Sequence, residues 1–301
     1  MSSLPFAVSL PATWNGSLYL HLPFCLKKCP YCDFPSVAGT GDAWRHYLRE
    51  LARERSWLPR LAPETVFWGG GTPTWLPVAA LRELAGVLGS FPWPSVTREA
   101  TVEANPGTVS LAQLALLRSW GFDRLSLGVQ SFSPARLRQL DRPYGARRIP
   151  EAMALAREAG FRRLNLDLMF GYPGQGWEEA RADLEAAFAA RPEHLSWYLL
   201  TLDPGTPWGR KVRDGTLVLP GDEELADVYR RGLALLEAEG YRQYEISNFS
   251  RPGEECRHNL RTWQNLPGLG LGPGAGSSVA GWRTNALGAL MRGAPLPSGG
   301  W

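Results

Sequence analysis

His21-Leu22-Pro23-Phe24-Cys25-Leu26-Lys27-Lys28-Cys29-Pro30-Tyr31-Cys32-Asp33-Phe34 carries three of the chain's four cysteines. Their spacing is C-x3-C-x2-C. Three thiols cannot all pair as disulfides, and bridges across loops this short are strained. Soft sulfur ligands select zinc, copper(I) or iron–sulfur clusters. A structural zinc site takes four ligands, commonly as two separated pairs, whereas this triplet stands alone and Cys256 lies far off in sequence. A [4Fe–4S] cluster fits better. With three cysteines in place of the usual four, one iron keeps a position open for another ligand. Pro23 and Pro30 fix φ and remove donors, which suits a tight irregular loop.

Working outward, residues 17–22 read as a strand running straight into the cysteine loop. A helix follows to about residue 58, with Trp44, Tyr47, Leu48 and Leu51 on one face. Residues 65–68 are β-prone and meet Gly69-Gly70-Gly71-Thr72-Pro73 at once. A strand followed by a glycine run predicts a ligand-binding loop at the carboxyl end of a barrel strand, where missing Cβ atoms let a ligand touch backbone. The run is neither a dinucleotide fingerprint nor a P-loop. Alternation continues: helices over 78–88, 111–120, 150–160 and 178–190, strands over 99–104, 124–128, 164–169 and 195–200. About six strands, each followed by a helix, specify an α/β barrel or a doubly wound parallel sheet. Beyond residue 208 the pattern changes to a helix over 224–239, a strand over 244–249 and a glycine-rich close.

At 301 residues the chain suffices for one large α/β barrel or two modest domains. Its 44% hydrophobic and 20% charged residues are ordinary for a soluble globular protein. A net charge of +3 is too small to argue for nucleic acid. No apolar run reaches the roughly 20 residues that span a bilayer, the N-terminus lacks signal-peptide order, and the clustered cysteines suit a reducing cytoplasm. A cytoplasmic location is the expectation.

The triplet resembles the signature of radical S-adenosylmethionine enzymes. Tyr19-Leu20-His21-Leu22-Pro23-Phe24-Cys25 narrows the resemblance to the oxygen-independent coproporphyrinogen III oxidase family, and more closely to its haem-chaperone (HemW-like) branch. The resemblance implies a partial (β/α)6 TIM-like barrel of the radical SAM type over residues 1–207, with a smaller C-terminal α+β extension over 208–301. It implies a [4Fe–4S] cluster on Cys25, Cys29 and Cys32, whose open iron takes the amine and carboxylate of S-adenosylmethionine. Contacts to that cofactor are implied for Tyr19, Tyr31, Gly70, Gly71, Thr72, Glu103, Gln130, Arg142, Asp167, Thr201 and Gly276. Glu103, Gln130, Arg142 and Asp167 carry over from ANP-, GVQSF-, LDRP- and DLMFGYPGQ-like contexts.

Cys256-Arg257-His258-Asn259-Leu260 holds an HNL motif typical of the haem-chaperone branch. Through that resemblance His258, with Cys256, Asn259 and Leu260, is a candidate contact for haem or substrate, since imidazole or thiolate can bind haem iron axially. The expected activity is binding haem as cargo and delivering it to a haem-accepting protein, with flavodoxin or ferredoxin as reductant. The alternative is oxidative decarboxylation of two propionates of coproporphyrinogen III, with Arg142, Arg257 and Arg261 as propionate partners. A zinc-bound structural module is a third reading. Family oxidases carry one more cysteine where this chain has Phe34, which favours the chaperone. Thr262 and Gly276 replace the usual tyrosine and histidine, and the chain covers about four-fifths of the expected family length.

Overall fold

A computed structural model of the protein describes residues 10–285, apart from 40, 90–92, 94, 95 and 280. Six parallel strands lie side by side in chain order: β1 (Ser17–Leu22), β2 (Thr65–Gly70), β3 (Glu99–Ala104), β4 (Arg124–Gln130), β5 (Arg163–Phe170) and β6 (His194–Leu199). The helices α1 (Gly41–Ser56), α2 (Val78–Leu88), α3 (Leu111–Ser119), α4 (Pro134–Gln139), α5 (Arg148–Glu158) and α6 (Trp177–Ala190) intervene. This is the partial (β/α)6 barrel expected from the sequence. Helix starts follow local chemistry: Ser110 and Ser133 each accept a backbone N–H from the first turn that follows, capping α3 and α4.

Strand alternation explains where the core sits. Leu18, Leu20, Leu22, Val66, Trp68, Val102, Leu125, Leu127, Leu164, Leu166, Leu195 and Trp197 are buried in one apolar core. The alternate positions are largely polar: Thr101 and Glu103, Ser126 and Gln130, Asn165 and Asp167, His194 and Ser196 line one cavity. Parallel strands covered on both faces normally read as continuous apolar runs. The polar inner face therefore lines an open bore, not a packed apolar centre.

Residues beyond 208 extend both edges of the same sheet. On one side β7 (Arg242–Gln243) and β8 (Asn248–Ser250) run antiparallel, β8 pairing with β6. On the other, β9 (Gly268–Leu271) lies parallel to β1 and leads to the hairpin β10 (Ser277–Val279) and β11 (Trp282–Thr284). The single strand expected over 244–249 is instead a reversal. Tyr244 N–H bonds Asn248 O at 3.2 Å, and the Glu245 carboxylate accepts Ser247 N–H at 2.9 Å, so the chain folds back on itself. Among the described residues this part of the chain also has three helices: α7 (Pro207–Arg213), α8 (Asp222–Ala238) and α9 (Arg257–Trp263). Among the described residues no helix is long and apolar enough to cross a membrane.

Candidate cofactor site

The cysteine loop leaves the carboxyl end of β1 and is fastened from three sides. Val37 N–H bonds Pro23 O at 2.7 Å and Gly39 N–H bonds Cys25 O at 2.8 Å, closing the loop on itself. The His21 ring donates from Nε2 to Pro35 O at 2.7 Å while Nδ1 accepts from the Tyr19 hydroxyl at 3.1 Å. Trp208 N–H bonds Pro30 O at 3.0 Å, and its ring packs on Tyr31.

The glycine run is the second wall of the site, and it also admits neighbouring parts of this chain. Gly71 N–H bonds Leu22 O at 2.8 Å and Thr72 N–H bonds Phe24 O at 2.7 Å. A Cβ on Gly71 would lie 2.6 Å from Phe24 O, and one on Gly70, at φ +105°, 2.5 Å from the His21 ring. A Cβ on Gly69 would strike the Glu103 carboxylate. The missing side chains thus admit this chain's own cysteine loop, imidazole and carboxylate. The Gly70 amide is likewise occupied, donating to Glu103 at 3.0 Å.

Cys25, Cys29, Tyr31, Cys32, Gly70, Gly71, Thr72, Glu103, Gln130, Arg142 and Asp167 all line one cavity of about 420 Å³. Most of the expected cofactor set is therefore gathered in one place, and Cys256 and Asn259 lie at its far end. Tyr19, His258 and Gly276 line a second cavity of similar size, where a Cβ on Gly276 would meet open space. Thr201 is exposed and, like Leu260, lines neither.

The bore is chemically graded. Gln130 takes φ +67° beside a β-bulge at Gly128, which re-aims its amide to accept from the Tyr198 hydroxyl at 2.6 Å. Asp167 accepts from Ser126 and, at 2.6 Å, from Asn165. Burial raises the Asp167 carboxyl and pushes Glu103 up to about 8, helped by its neighbour Asp167 and opposed by the Gly70 amide. Burial also raises the Cys25 and Cys32 thiols. Among the described residues no three ligating side chains converge on a single metal ion. The thiols instead face a shared space, as a four-iron body requires, and two have side-chain donors: Thr72 to Cys25 at 3.8 Å and Arg142 to Cys29 at 3.2 Å. This donor set fits a thiolate-held cluster.

Asn105, Ser126, Asn165, Ser196 and Tyr198 also face the bore and were not singled out from sequence. The available signal was period-two polarity within otherwise apolar strands. Asn105 is central, donating to Thr72 Oγ1 at 2.7 Å and accepting from Arg142.

At the opposite end, Glu99 and Arg124 form a buried ion pair at 3.2 Å. Glu99 also accepts the Cys256 thiol at 3.2 Å and the His258 backbone N–H at 3.1 Å. Burial pushes the Cys256 thiol up, and a thiol kept protonated against a carboxylate is a poor anionic ligand for iron. Arg261 is committed to Glu64 and Ser17, and Arg257 is exposed.

The bore thus sets three thiols beside a cavity with a polar lining. Residues 19–187 match the Radical SAM superfamily. A protein of Escherichia coli named heme chaperone HemW is 42% identical over 269 residues, covering 87% of this chain and 70% of its own length. Its namesake in Synechocystis is 38% identical, covering 88% and 66%. Among solved structures, the coproporphyrinogen III oxidase HemN of Escherichia coli, described as a radical SAM enzyme, aligns with TM-score 0.77 and 28% identity over 89% of this chain and 66% of that one. The chain therefore belongs to the radical SAM superfamily and, within it, to the family of the HemW heme chaperones. It spans about two thirds of the length of these relatives. Superfamily membership implies a [4Fe–4S] cluster and S-adenosylmethionine as cofactors.

Proposed function

We propose that this protein is a cytoplasmic haem chaperone that holds a [4Fe–4S] cluster and S-adenosylmethionine, binds haem as cargo and passes it to haem-requiring proteins. The observation that carries the cofactor part is the meeting of the cysteine triplet, Thr72, Glu103, Gln130 and Asp167 around one cavity. Cys25, Cys29 and Cys32 would hold the cluster. The polar bore would hold S-adenosylmethionine, with carboxylates able to accept its ribose hydroxyls and ammonium. When bound, the pair supplies an electron source and a cleavable sulfonium. A flavodoxin or ferredoxin is the fitting class of reductant. Tyr19, Gly276 and Thr201 do not line that cavity, although Tyr19 lies within electrostatic reach of Glu103.

For haem the support is the relatives' name and the chemistry of His258. Thr65 donates to Ser17 Oγ at 3.1 Å and therefore accepts from His258 Nδ1 at 3.1 Å, which leaves Nε2 as the lone-pair nitrogen. Burial lowers this imidazole to about 4, so it is neutral at physiological pH and competent to bind iron. Reconstituted anaerobically, the protein should be brown with about four irons per chain; a colourless zinc protein would remove the cofactor reading. Micromolar haem should then shift the Soret band, and His258→Ala should weaken that binding while leaving the iron count unchanged. Equal haem affinity in the variant would clear His258 of the role.

The likeness to the oxidase keeps one rival. Incubation with coproporphyrinogen III, reductant and S-adenosylmethionine tests it, and formation of protoporphyrinogen would reverse the ranking.

A further inference from the structure

We propose that Arg142 is the counter-charge of the cluster and raises its reduction potential through the sulfur of Cys29. The proposal rests on the cluster occupying the cysteine triplet. Arg142 follows α4, the helix after β4, and reaches back across the mouth of the bore. Its Nη1 lies 3.2 Å from Cys29 Sγ and 3.2 Å from the Tyr31 hydroxyl. Its Nη2 donates to Gly128 O at 2.8 Å and to Asn105 Oδ1, and Nε reaches the Tyr144 hydroxyl at 3.3 Å. A guanidinium has five N–H donors in a fixed fork, and these five contacts use them all. Arg142 is therefore held in place against the cysteine loop.

The partners are four neutral oxygens and one sulfur. Among the described residues no carboxylate forms an ion pair with Arg142, and Asp167, across the same cavity, acts on it only at longer range. Three cysteinates with an iron–sulfur core carry net negative charge, and one-electron reduction increases it. A fixed cation on one ligand sulfur favours the reduced state and moves the potential upward, as hydrogen bonds to cluster sulfurs do. The effect is asymmetric. Cys25 meets a hydroxyl from Thr72, and Cys32 meets the Phe34 backbone amide.

The test is a dithionite titration of anaerobically reconstituted full chain, followed by electron paramagnetic resonance without S-adenosylmethionine, so that only the sulfur contact is read. Arg142→Gln keeps a neutral donor and should lower the midpoint by a tenfold or greater shift in the reduction equilibrium, about 59 mV for a one-electron couple. Arg142→Lys should recover part of the loss. An unchanged midpoint in Arg142→Gln at full iron content overturns the proposal. If that variant loses its cluster, wild-type protein labelled with 15N-arginine decides the matter. Its reduced cluster should show a 15N coupling from arginine, and the absence of one overturns the assignment. Wild-type protein lacking about four irons per chain would instead remove the cluster reading and this inference with it.

Discussion

Glu103, on the wall of the candidate cofactor cavity, sits far from the ordinary environment of a carboxylate. Its folded pKa, about 8, stands above the ordinary glutamate value of 4.5. The folded chain therefore holds a proton that the unfolded chain releases. Stability is full below about pH 4.5, declines as pH rises, and is lost through about 8. The buried Asp167 acts with the same sign. His21, His194 and His258 are all lowered by burial and act in the opposite sense, below about 6.5. The interval from 6.5 to 8 thus isolates the carboxyls. The cofactor-free protein should lose thermal stability across that interval, and Glu103→Gln should remove most of the slope. Calorimetric melts at several pH values check this, and an equal slope in the variant would assign the effect elsewhere.

Among the elements, those with one apolar face were legible in sequence, because burial of that face is what makes the element. All six barrel strands and five of the helices between them fall where alternation and helical spacing put them, whereas α4, six residues long, is too short to show that spacing. The grouping of Glu103, Gln130 and Asp167 was legible for the same reason, as polar residues interrupting apolar strands. What was not legible depends on close approach. The glycine run reads as a ligand cradle, yet Gly71 is required by the backbone of Phe24. Gly71→Ala should cost about 1–3 kcal/mol by overpacking and reduce the iron retained per chain, because the clash falls on the cysteine loop. Gly232 carries a similar lesson in α8. A Cβ there would lie 1.9 Å from the Trp197 ring, which is itself stacked on Phe170 at 4.3 Å. Alanine gains about 1 kcal/mol of helix propensity but loses more to the clash, so Gly232→Ala should lower the urea midpoint at unchanged slope. The seating of α9 was equally hidden, since it depends on Glu99, 158 positions before Arg257 in the numbering. Glu99→Ala leaves Arg124 buried without its carboxylate, and a loss of about 3–5 kcal/mol is expected in equilibrium unfolding.

On the scale of the whole molecule, the sheet draws on both ends of the chain. The sequence divides at residue 207, where the barrel alternation stops, but the hydrogen-bonded ladders continue beyond it on either side. The outer edge of β6 is covered by β8, and that of β1 by β9. Strand β1 is also the one that delivers the cysteine loop. Two carbonyls of the later segment, Glu254 O and Glu255 O, accept from the buried Arg124 guanidinium. Trp197 depends on Tyr229 and Phe249 for its packing. A chain ending at residue 207 would expose two strand edges and an apolar flank together, the condition that leads to edge pairing between chains. It should therefore aggregate or melt without a cooperative transition and retain little iron, whereas the 301-residue chain should melt cooperatively. Size-exclusion chromatography, calorimetry and an iron count on the two chains side by side make the comparison. A cooperative melt of residues 1–207 at full iron loading would show that the first six strands hold the cluster loop unaided, with the later strands ornamental to the cofactor site.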